Sequence, residues 1–553
     1  MTFNEDSRVK LPAILHLCKL GFEYLSLGKA TWDAEHNIFT SIFYESIHAL
    51  NPEMEDGEIK LLYDKLTLTL DNEDLGKSFY EMLTSETGPR IIDFDDFSKN
   101  KLQVVTELPC INGDEEFRPD ITLLVNGLPL VFIEVKKPNN LDGIQAEYKR
   151  MESRFRNKKF RKFVNLTQMM VFSNNMPYDD EGLQPLQGAF YATTAYGKVK
   201  FNFFREETHF DLNTILRDIS DETENDILAD NNLISIKHSP EFITNKNPES
   251  PTHKIFNSLF QMERLSFMIR YGLAYVKGEN GLEKHIMRYP QLFATKAIEN
   301  KLNAGVKNGI IWHTQGSGKT ALAYYNVKYL THYFRNQGIV PKFYFIVDRL
   351  DLLVQASREF NSRGLVVHKI QSKEAFVKDL KMTSVIHNSS GKLEITVVNI
   401  HKFENDPDVA SKKDYNIHVQ RIYFLDEVHR SYNPKGSFLA NLKESDTNAI
   451  KLGLTGTPLL GDEYNSRALF GDYIHKYYYN ASIADGYTLR LIREEIETSY
   501  HFKLKKILDE IDVIKGKSNR KEVYADVKFV EPILEYIVND FEKFRLTTGD
   551  SSI

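Results

Sequence analysis

One stretch of the sequence constrains the fold more than any other. Gly309-Ile310-Ile311-Trp312-His313 has the pattern of a buried strand and runs directly into Thr314-Gln315-Gly316-Ser317-Gly318-Lys319-Thr320. Glycines let such a turn curl until its N–H groups face one point, and a helix that follows adds its positive end. That arrangement cradles phosphate oxygens. Lys319 supplies a point charge for the β and γ phosphates of ATP, and the Thr320 hydroxyl suits a Mg²⁺ ion, with Gln315, Gly316, Ser317 and Gly318 forming the loop. The first glycine of the usual G-x-x-x-x-G-K-[ST] pattern is His313 here. A strand–helix turn with an incidental Lys-Thr would look similar, so the companions of the loop must decide.

Those companions recur with a regular rhythm. Short β-like runs stand at Gly309–His313, Phe343–Val347, Ile395–Ile400, Arg421–Leu425 and Ile450–Leu454, separated by longer helical stretches. Strands that alternate with helices imply a parallel sheet covered on both faces, so the fold class is α/β. The fourth run ends in Asp426-Glu427-Val428-His429. Hydrolysis needs one carboxylate to hold a Mg²⁺ shell and another to activate water, and Asp426 and Glu427 divide those tasks. The fifth run leads into Thr455-Gly456-Thr457-Pro458, with small hydroxyl residues at a strand end.

These three motifs, in this order, resemble the first RecA-like lobe of superfamily 2 helicases and translocases. The resemblance implies that His429, Thr455 and Thr457 couple the ATP state to movement on DNA. It also implies that Val347–Leu353 and Thr396–Phe403 touch the DNA strand and that Gln291, in Arg288-Tyr289-Pro290-Gln291, reads adenine.

A second constellation lies nearer the N-terminus. Pro119-Asp120 precedes the β-like run Ile121–Val125; Asn126-Gly127 follows, then Leu128–Val135 with Glu134 and Lys136 at its end. Asn-Gly between two apolar runs signals a hairpin. Glu134 and Lys136 share a strand face. Two converging carboxylates bind a hard cation such as Mg²⁺, and a neighbouring lysine can orient water or stabilise charge on a phosphorane. The register decides whether Asp120 and Glu134 converge. A strict two-residue loop pairs Asp120 with Ile133 and puts the carboxylates on opposite faces; a three-residue loop or one bulge places Asp120 opposite Glu134. The expectation is the latter. Charge ending so apolar a run is costly without a purpose, and a basic stretch follows: Lys149, Arg150, Arg154, Arg156, Lys158, Lys159, Arg161 and Lys162, opposed locally by Glu152 alone. A solvated helix face gives the same pattern, but these residues are the candidates for tracking a DNA backbone.

Taken together, the motifs resemble the restriction (R, HsdR) subunit of type I restriction–modification enzymes, in which a PD-(D/E)xK nuclease domain precedes two RecA-like motor lobes. The resemblance runs through Ser173-Asn174-Asn175 and the string Ile310-Ile311-Trp312-His313-Thr314-Gln315-Gly316-Ser317-Gly318-Lys319-Thr320. It implies catalytic positions at Asp120, Glu134 and Lys136. It also offers Gln145 for the family's Gln-x-x-x-Tyr motif, although Tyr148 comes one residue early. The organisation expected is a nuclease domain over 1–238, a linker over 239–252, a first motor lobe over 253–470, and a connector with the incomplete start of a second lobe over 471–553. Within the last part a helix is read over Glu531–Arg545, with Pro532 at its first position. The second lobe normally supplies an arginine finger, worth on the order of 10³–10⁵ in rate. The chain stops before any strand of that lobe, so weak ATP binding and slow turnover are expected. The implied partners are double-stranded DNA and the methyltransferase and specificity subunits. The rivals are a free-standing superfamily 2 helicase–nuclease and a DNA-binding scaffold with decayed sites.

Composition agrees and excludes little. The net charge of −7 argues against a chain that coats nucleic acid through overall charge. No apolar run is long enough to span a membrane, the first residues are not a signal peptide, and only two cysteines occur, Cys18 and Cys110. A cytoplasmic protein without structural disulfides is the expectation.

Overall fold

Two seven-stranded sheets carry the chain, and they differ in how their strands run. The computed structural model describes residues 5–112, 115–138, 141–176, 189–279, 281–382, 391–400, 419–427, 442, 446–458, 466–488, 502, 504–507 and 527–541. Among these, the strands before the helix Leu212–Ile215 are β1 (Glu23–Tyr24), β2 (Leu102–Thr106), β3 (Cys110–Asn112), β4 (Glu115–Phe117), β5 (Ile121–Val125), β6 (Leu128–Val135), β7 (Met169–Ser173), β8 (Ala189–Ala192) and β9 (Asn202–Phe203). The first sheet has the order β1-β2-β5-β6-β7-β8-β9, with β3 and β4 forming a separate ribbon. Its pairing is mixed: β1–β2 and β6–β7 are parallel, the other neighbours antiparallel. Strands β5, β6 and β7 are buried along their whole length, which explains their near-continuous apolar sequences.

The β5–β6 hairpin settles the register. Asn126 and Gly127 both have positive φ, 53° and 78°, as a two-residue turn requires. Leu124 pairs with Pro129 and Leu123 with Val131, so Leu130 is an extra residue in β6. This bulge sets Ile121 opposite Ile133. Continued by one residue, the register carries Asp120 to Glu134, as expected above.

A two-stranded hairpin, β10 (Leu273–Gly278) and β11 (Gly281–Ile286), precedes the second sheet. That sheet contains β12 (Asn308–His313), β13 (Val340–Val347), β14 (Val366–Ile370), β15 (Glu394–Asn399), β16 (Val419–Asp426), β17 (Ile450–Thr455) and β18 (Tyr473–Tyr477). Its order is β14-β15-β13-β16-β17-β12-β18 and every pair is parallel. All five anticipated runs are strands here, within a few residues of the expected ends. Two strands were not anticipated, β14 and β18. The pattern of β14 is interrupted by His368 and Lys369, and most of the strand is only half-buried, as suits a sheet edge.

Three boundaries differ from the sequence reading. Residues beyond 470 do not begin a new lobe at once, because β18 pairs with β12 as the seventh strand of the same sheet. The stretch 239–252 holds the helix Pro240–Asn245 and the start of the helix Pro251–Leu259, joined by a short turn, rather than a slack linker. Ser239 caps the helix Pro240–Asn245 through Phe242 N, Pro251 opens the helix Pro251–Leu259, and Phe242, Thr252 and His253 are buried. Proline and serine there are helix-start signals, a role that raw composition does not separate from a loop. Residues 489–553 form a second compact unit, in which Pro532 lies inside the helix Val527–Phe541 rather than at its start. No helix among the described residues is long and apolar enough to cross a membrane.

Candidate nucleotide and nuclease sites

The phosphate loop sits where a parallel sheet normally binds ligands, at the carboxyl ends of its strands. β12 ends at His313, the turn follows, and the helix Lys319–Arg335 begins at Lys319. Gly316 and Gly318 have φ of +83° and +86°. A Cβ on Gly318 would lie 2.5 Å from Gln291 Nε2 and would sit on a backbone that L side chains rarely adopt, so a substitution there is strained. Gln291 is 3% exposed, donates to Gly318 O at 3.1 Å and accepts from Arg288 N at 3.0 Å. Its visible work is to brace the loop. Ser317 Oγ closes the turn by donating to Thr314 O at 2.6 Å.

The cleft beside the loop measures about 830 Å³ and is lined by Lys319, Thr320, Asp348, Arg349, Asp426 and Glu427 among others. Lys319 Nζ lies 3.6 Å from Glu427 Oε1. Glu427 is held from two sides: Oε2 accepts from Thr455 Oγ1 at 2.8 Å and Oε1 from Gly456 N at 3.0 Å. Thr457 N donates to Thr455 Oγ1 at 3.1 Å. Glu427 also has positive φ, 48°, a costly conformation for a residue with a Cβ. Asp426 Oδ1 is buried and has no hydrogen-bond partner among the described residues. Burial raises its carboxyl pKa to about 6 against the opposing pull of Lys319, with Glu427 and Asp348 adding to the rise. A buried, unpaired carboxylate oxygen beside a lysine and a threonine hydroxyl fits a hard cation carried with a polyphosphate. Asp348 and Arg349, expected on the DNA path, line this cleft. His429 and residues 401–403 lie outside the described residues.

The N-terminal cluster is assembled by the hairpin bulge. Lys136 Nζ stands between the two carboxylates, 2.5 Å from Glu134 Oε1 and 3.4 Å from Asp120 Oδ2. Val135 N also donates to Asp120 Oδ2, at 3.0 Å. Burial works to lower the Lys136 pKa, but Glu134 and Asp120 outweigh it and hold the ammonium well above its ordinary value. The sequence reading missed Glu5, whose Oε1 lies 3.6 Å from Lys136 Nζ and whose Oε2 accepts from Lys137 N at 3.2 Å. Only its distance of more than a hundred residues from the hairpin hid it. Among the described residues no group of three or more His, Cys, Asp and Glu is arranged to hold a metal. Two oxygen donors converge here on a lysine cation, a donor chemistry that suits Mg²⁺. Gln145 lies on the helix Leu141–Arg156, with its side chain outside the description; Tyr148 donates to Val199 O at 3.3 Å.

The basic stretch is less bare than its sequence suggests. Lys158 and Arg161 reach Glu73 at 3.6 and 2.6 Å, Lys159 reaches Glu115 at 3.2 Å, and Lys162 lies 2.5 Å from Glu35. Arg156 lies 3.8 Å from Glu152, and the Arg154 guanidinium lies 4.7 Å from the centre of the Phe117 ring. Lys149 and Arg150 are exposed. Acidic residues distant in sequence thus oppose its second half.

Comparison with known proteins gives two regions in the same order as the two sites. Residues 2–178 match the family model of the type I restriction enzyme R protein N terminus, and residues 290–523 match that of the SWI2/SNF2 ATPase. The type I restriction enzyme SauCOLORF180P endonuclease subunit of Staphylococcus aureus is 26% identical over 505 residues, covering 89% of this chain and 45% of the relative. The type I restriction enzyme HindI endonuclease subunit of Haemophilus influenzae is 24% identical over 541 residues, covering 89% and 46%. The chain spans about half the length of the curated relatives it matches. The solved helicase domain of Pyrococcus furiosus Hef overlaps 47% of this chain and 56% of its own at 18% identity, with a TM-score of 0.28.

Proposed function

The chain belongs to the R-subunit family of type I restriction enzymes, and we propose that it drives double-stranded DNA past the enzyme with ATP and cuts that DNA with Mg²⁺. The observation that carries the motor reading is the cleft lined by Lys319, Thr320 and Asp426, whose buried Oδ1 has no hydrogen-bond partner among the described residues. Lys319 holds the β and γ phosphates there, Thr320 and Asp426 hold the cation, and Glu427 orients the attacking water. When bound, Mg²⁺ would supply charge neutralisation at phosphate oxygens, held by Thr320 and Asp426 at this site and by Asp120 and Glu134 at the other. Thr455 and Gly456 grip the Glu427 carboxylate, so any shift of that turn on DNA moves the group that orients water. This is a direct physical route from hydrolysis to movement.

At the N-terminal site, Asp120 and Glu134 would hold the metal, and Lys136 would serve the phosphate. Gln145 is proposed to help position the attacking water, and Gln291 to read adenine when nucleotide displaces its contacts with the loop. Lys149, Arg150, Arg154, Arg156, Lys158 and Lys159 are the proposed contacts to the DNA backbone. Methyltransferase and specificity subunits are the proposed partners.

The test uses the full-length subunit assembled with those partners. Lys319→Ala should abolish ATP turnover and, with it, DNA cleavage. Asp120→Ala should spare ATP turnover and abolish cleavage. Wild-type cutting by the Asp120 variant would overturn the nuclease assignment.

A further inference from the structure

His313, which stands where the phosphate-loop pattern usually has glycine, is fully buried at the end of β12. Its ring is not isolated. Nε2 of His313 lies 2.7 Å from Nδ1 of His475 on β18, and Nε2 of His475 lies 2.6 Å from Glu207 Oε2. Glu207 comes from the segment after β9, the edge strand of the first sheet, 268 residues away in sequence. A chain of two imidazoles and one carboxylate thus joins the base of the phosphate loop to the N-terminal part of the molecule.

The chemistry of the three groups gives this chain a direction. An ionised carboxylate only accepts, so His475 donates through Nε2–H. A neutral imidazole has one N–H, so His475 Nδ1 is then an acceptor and His313 Nε2 donates to it. His313 is left with a bare Nδ1, and this is the ring atom of His313 that has no partner among the described residues. The opposite arrangement would charge His475 and bury an unpaired N–H donor on His313, next to the carbonyl that Lys319 Nζ approaches at 3.4 Å. That adds a buried positive charge and leaves a buried donor unpaired, the costlier choice. Burial, then His475 and Lys319, hold the His313 ring well below its usual pKa, in keeping with a neutral ring.

The same segment reaches the loop by a second path. Asn202 Oδ1 accepts from Tyr487 OH at 2.9 Å, and the Arg288 guanidinium lies 3.9 Å from the centre of the Tyr487 ring. Arg288 then donates to Gly316 O at 3.1 Å. Between the two paths Arg205 lies 3.2 Å from Asp485. Residues 202–207 therefore hold both the base and the glycine tip of the phosphate loop.

We infer that residues 202–207 brace the phosphate loop, and that Glu207, through His475, fixes the His313 tautomer and sets nucleotide affinity. Glu207 and His475 do not line the cleft and act as positioning residues. The inference rests on the nucleotide-site reading above. Coupling between sites is reciprocal, so bound nucleotide must in turn steady the 202–207 segment.

The experiment uses the whole chain with ADP and Mg²⁺. Glu207→Ala should weaken binding about tenfold, within the usual range of coupling between sites. Glu207→Gln should stay within about twofold, because its amide oxygen still accepts from His475. His475→Phe, which keeps ring volume and cuts the chain, should match Glu207→Ala and replaces it if that variant does not fold. Nitrogen-15 spectra of the histidines should show an unprotonated His313 Nδ1 in the wild type and in Glu207→Gln, and a mixture of tautomers in Glu207→Ala. Mg–ADP should slow amide exchange at 202–207 in the wild type but not in Glu207→Ala. Unchanged affinity in Glu207→Ala, or equal loss in Glu207→Gln, overturns the brace. If the wild type binds no Mg–ADP, the nucleotide-site reading falls and the brace is judged on tautomers alone. A bare Nδ1 that is lost in Glu207→Ala then supports it; a protonated Nδ1 overturns it.

Discussion

The chain holds two clusters made of the same residue types, a lysine between carboxylates, and leaves them in opposite states. At the N-terminal site Lys136 lies between Asp120 and Glu134 and is ion-paired with both. In the motor cleft Lys319 lies 3.6 Å from Glu427, and among the described residues Asp426 keeps a buried oxygen with no hydrogen-bond partner. The sheets behind them explain the difference. At the end of β6, Glu134 and Lys136, one residue past the strand, are two apart along the chain, and the bulge brings Asp120 across the hairpin to them. In the parallel sheet, Lys319 and Asp426 follow different strands, β12 and β16, with β17 between them. A self-paired cluster costs little to keep without its metal. An open one is preformed for a charged ligand and carries the cost of an unpaired group until the ligand arrives.

Substitutions can break or sharpen that contrast. The largest effect is expected from Lys136→Ala, which leaves two mostly buried carboxylates without their cation and should destabilise the fold by about 3 kcal/mol, the scale for breaking a buried pair. Millimolar Mg²⁺ should restore part of the loss in a thermal melt; a melt unaffected by Mg²⁺ would count against a metal site there. Gly318→Ala comes next. It forces a Cβ onto a residue with φ +86° and into Gln291, and should cost about 1–3 kcal/mol in denaturant unfolding together with most nucleotide binding. Asp426→Ala should act in the opposite sense to Lys136→Ala. Removing an unpaired buried carboxylate should leave the ligand-free protein as stable or more stable by about 1 kcal/mol, while weakening Mg–nucleotide binding. Clear destabilisation by Asp426→Ala would erase the contrast between the clusters.

The smallest effect concerns pH. Lys284 donates to Thr167 O and Lys328 to Leu273 O, and burial lowers both pKa values to about 7. Between about pH 7 and the ordinary lysine range the unfolded chain holds more protons at these positions than the folded one. Stability contributed by these groups therefore rises with pH across that window. The melting temperature should rise from pH 7 to pH 9 more in the wild type than in a Lys284→Met, Lys328→Met double variant. Equal slopes would show that neither lysine titrates there.

Local patterns carried much of this in the sequence. Strand runs ending in Gly-Ser-Gly-Lys-Thr, Asp-Glu and Thr-Gly-Thr became β12, β16 and β17 because each is an apolar run stopped by residues that cannot continue it. The Asn126-Gly127 turn was legible for the same reason: its backbone demands residues that tolerate positive φ. Even the need for a three-residue loop or one bulge, if the two carboxylates were to meet, followed from the period of two along a strand. Less was legible wherever a partner lies far along the chain. Glu5 at the Lys136 ammonium, β18 beside β12, and the acids Glu35, Glu73 and Glu115 opposite the basic stretch carry no local signal of those meetings.

Residue chemistry and spacing by themselves determined which side chains can hold phosphate, cation and water, because those demands act within one strand and one turn. Only the tertiary structure decided how the charges are shared. Coulomb interactions and desolvation depend on distance and burial, and those are set by strand order: Lys136 is enclosed by its carboxylates, Asp426 is left open, and His313 is tied through His475 to Glu207.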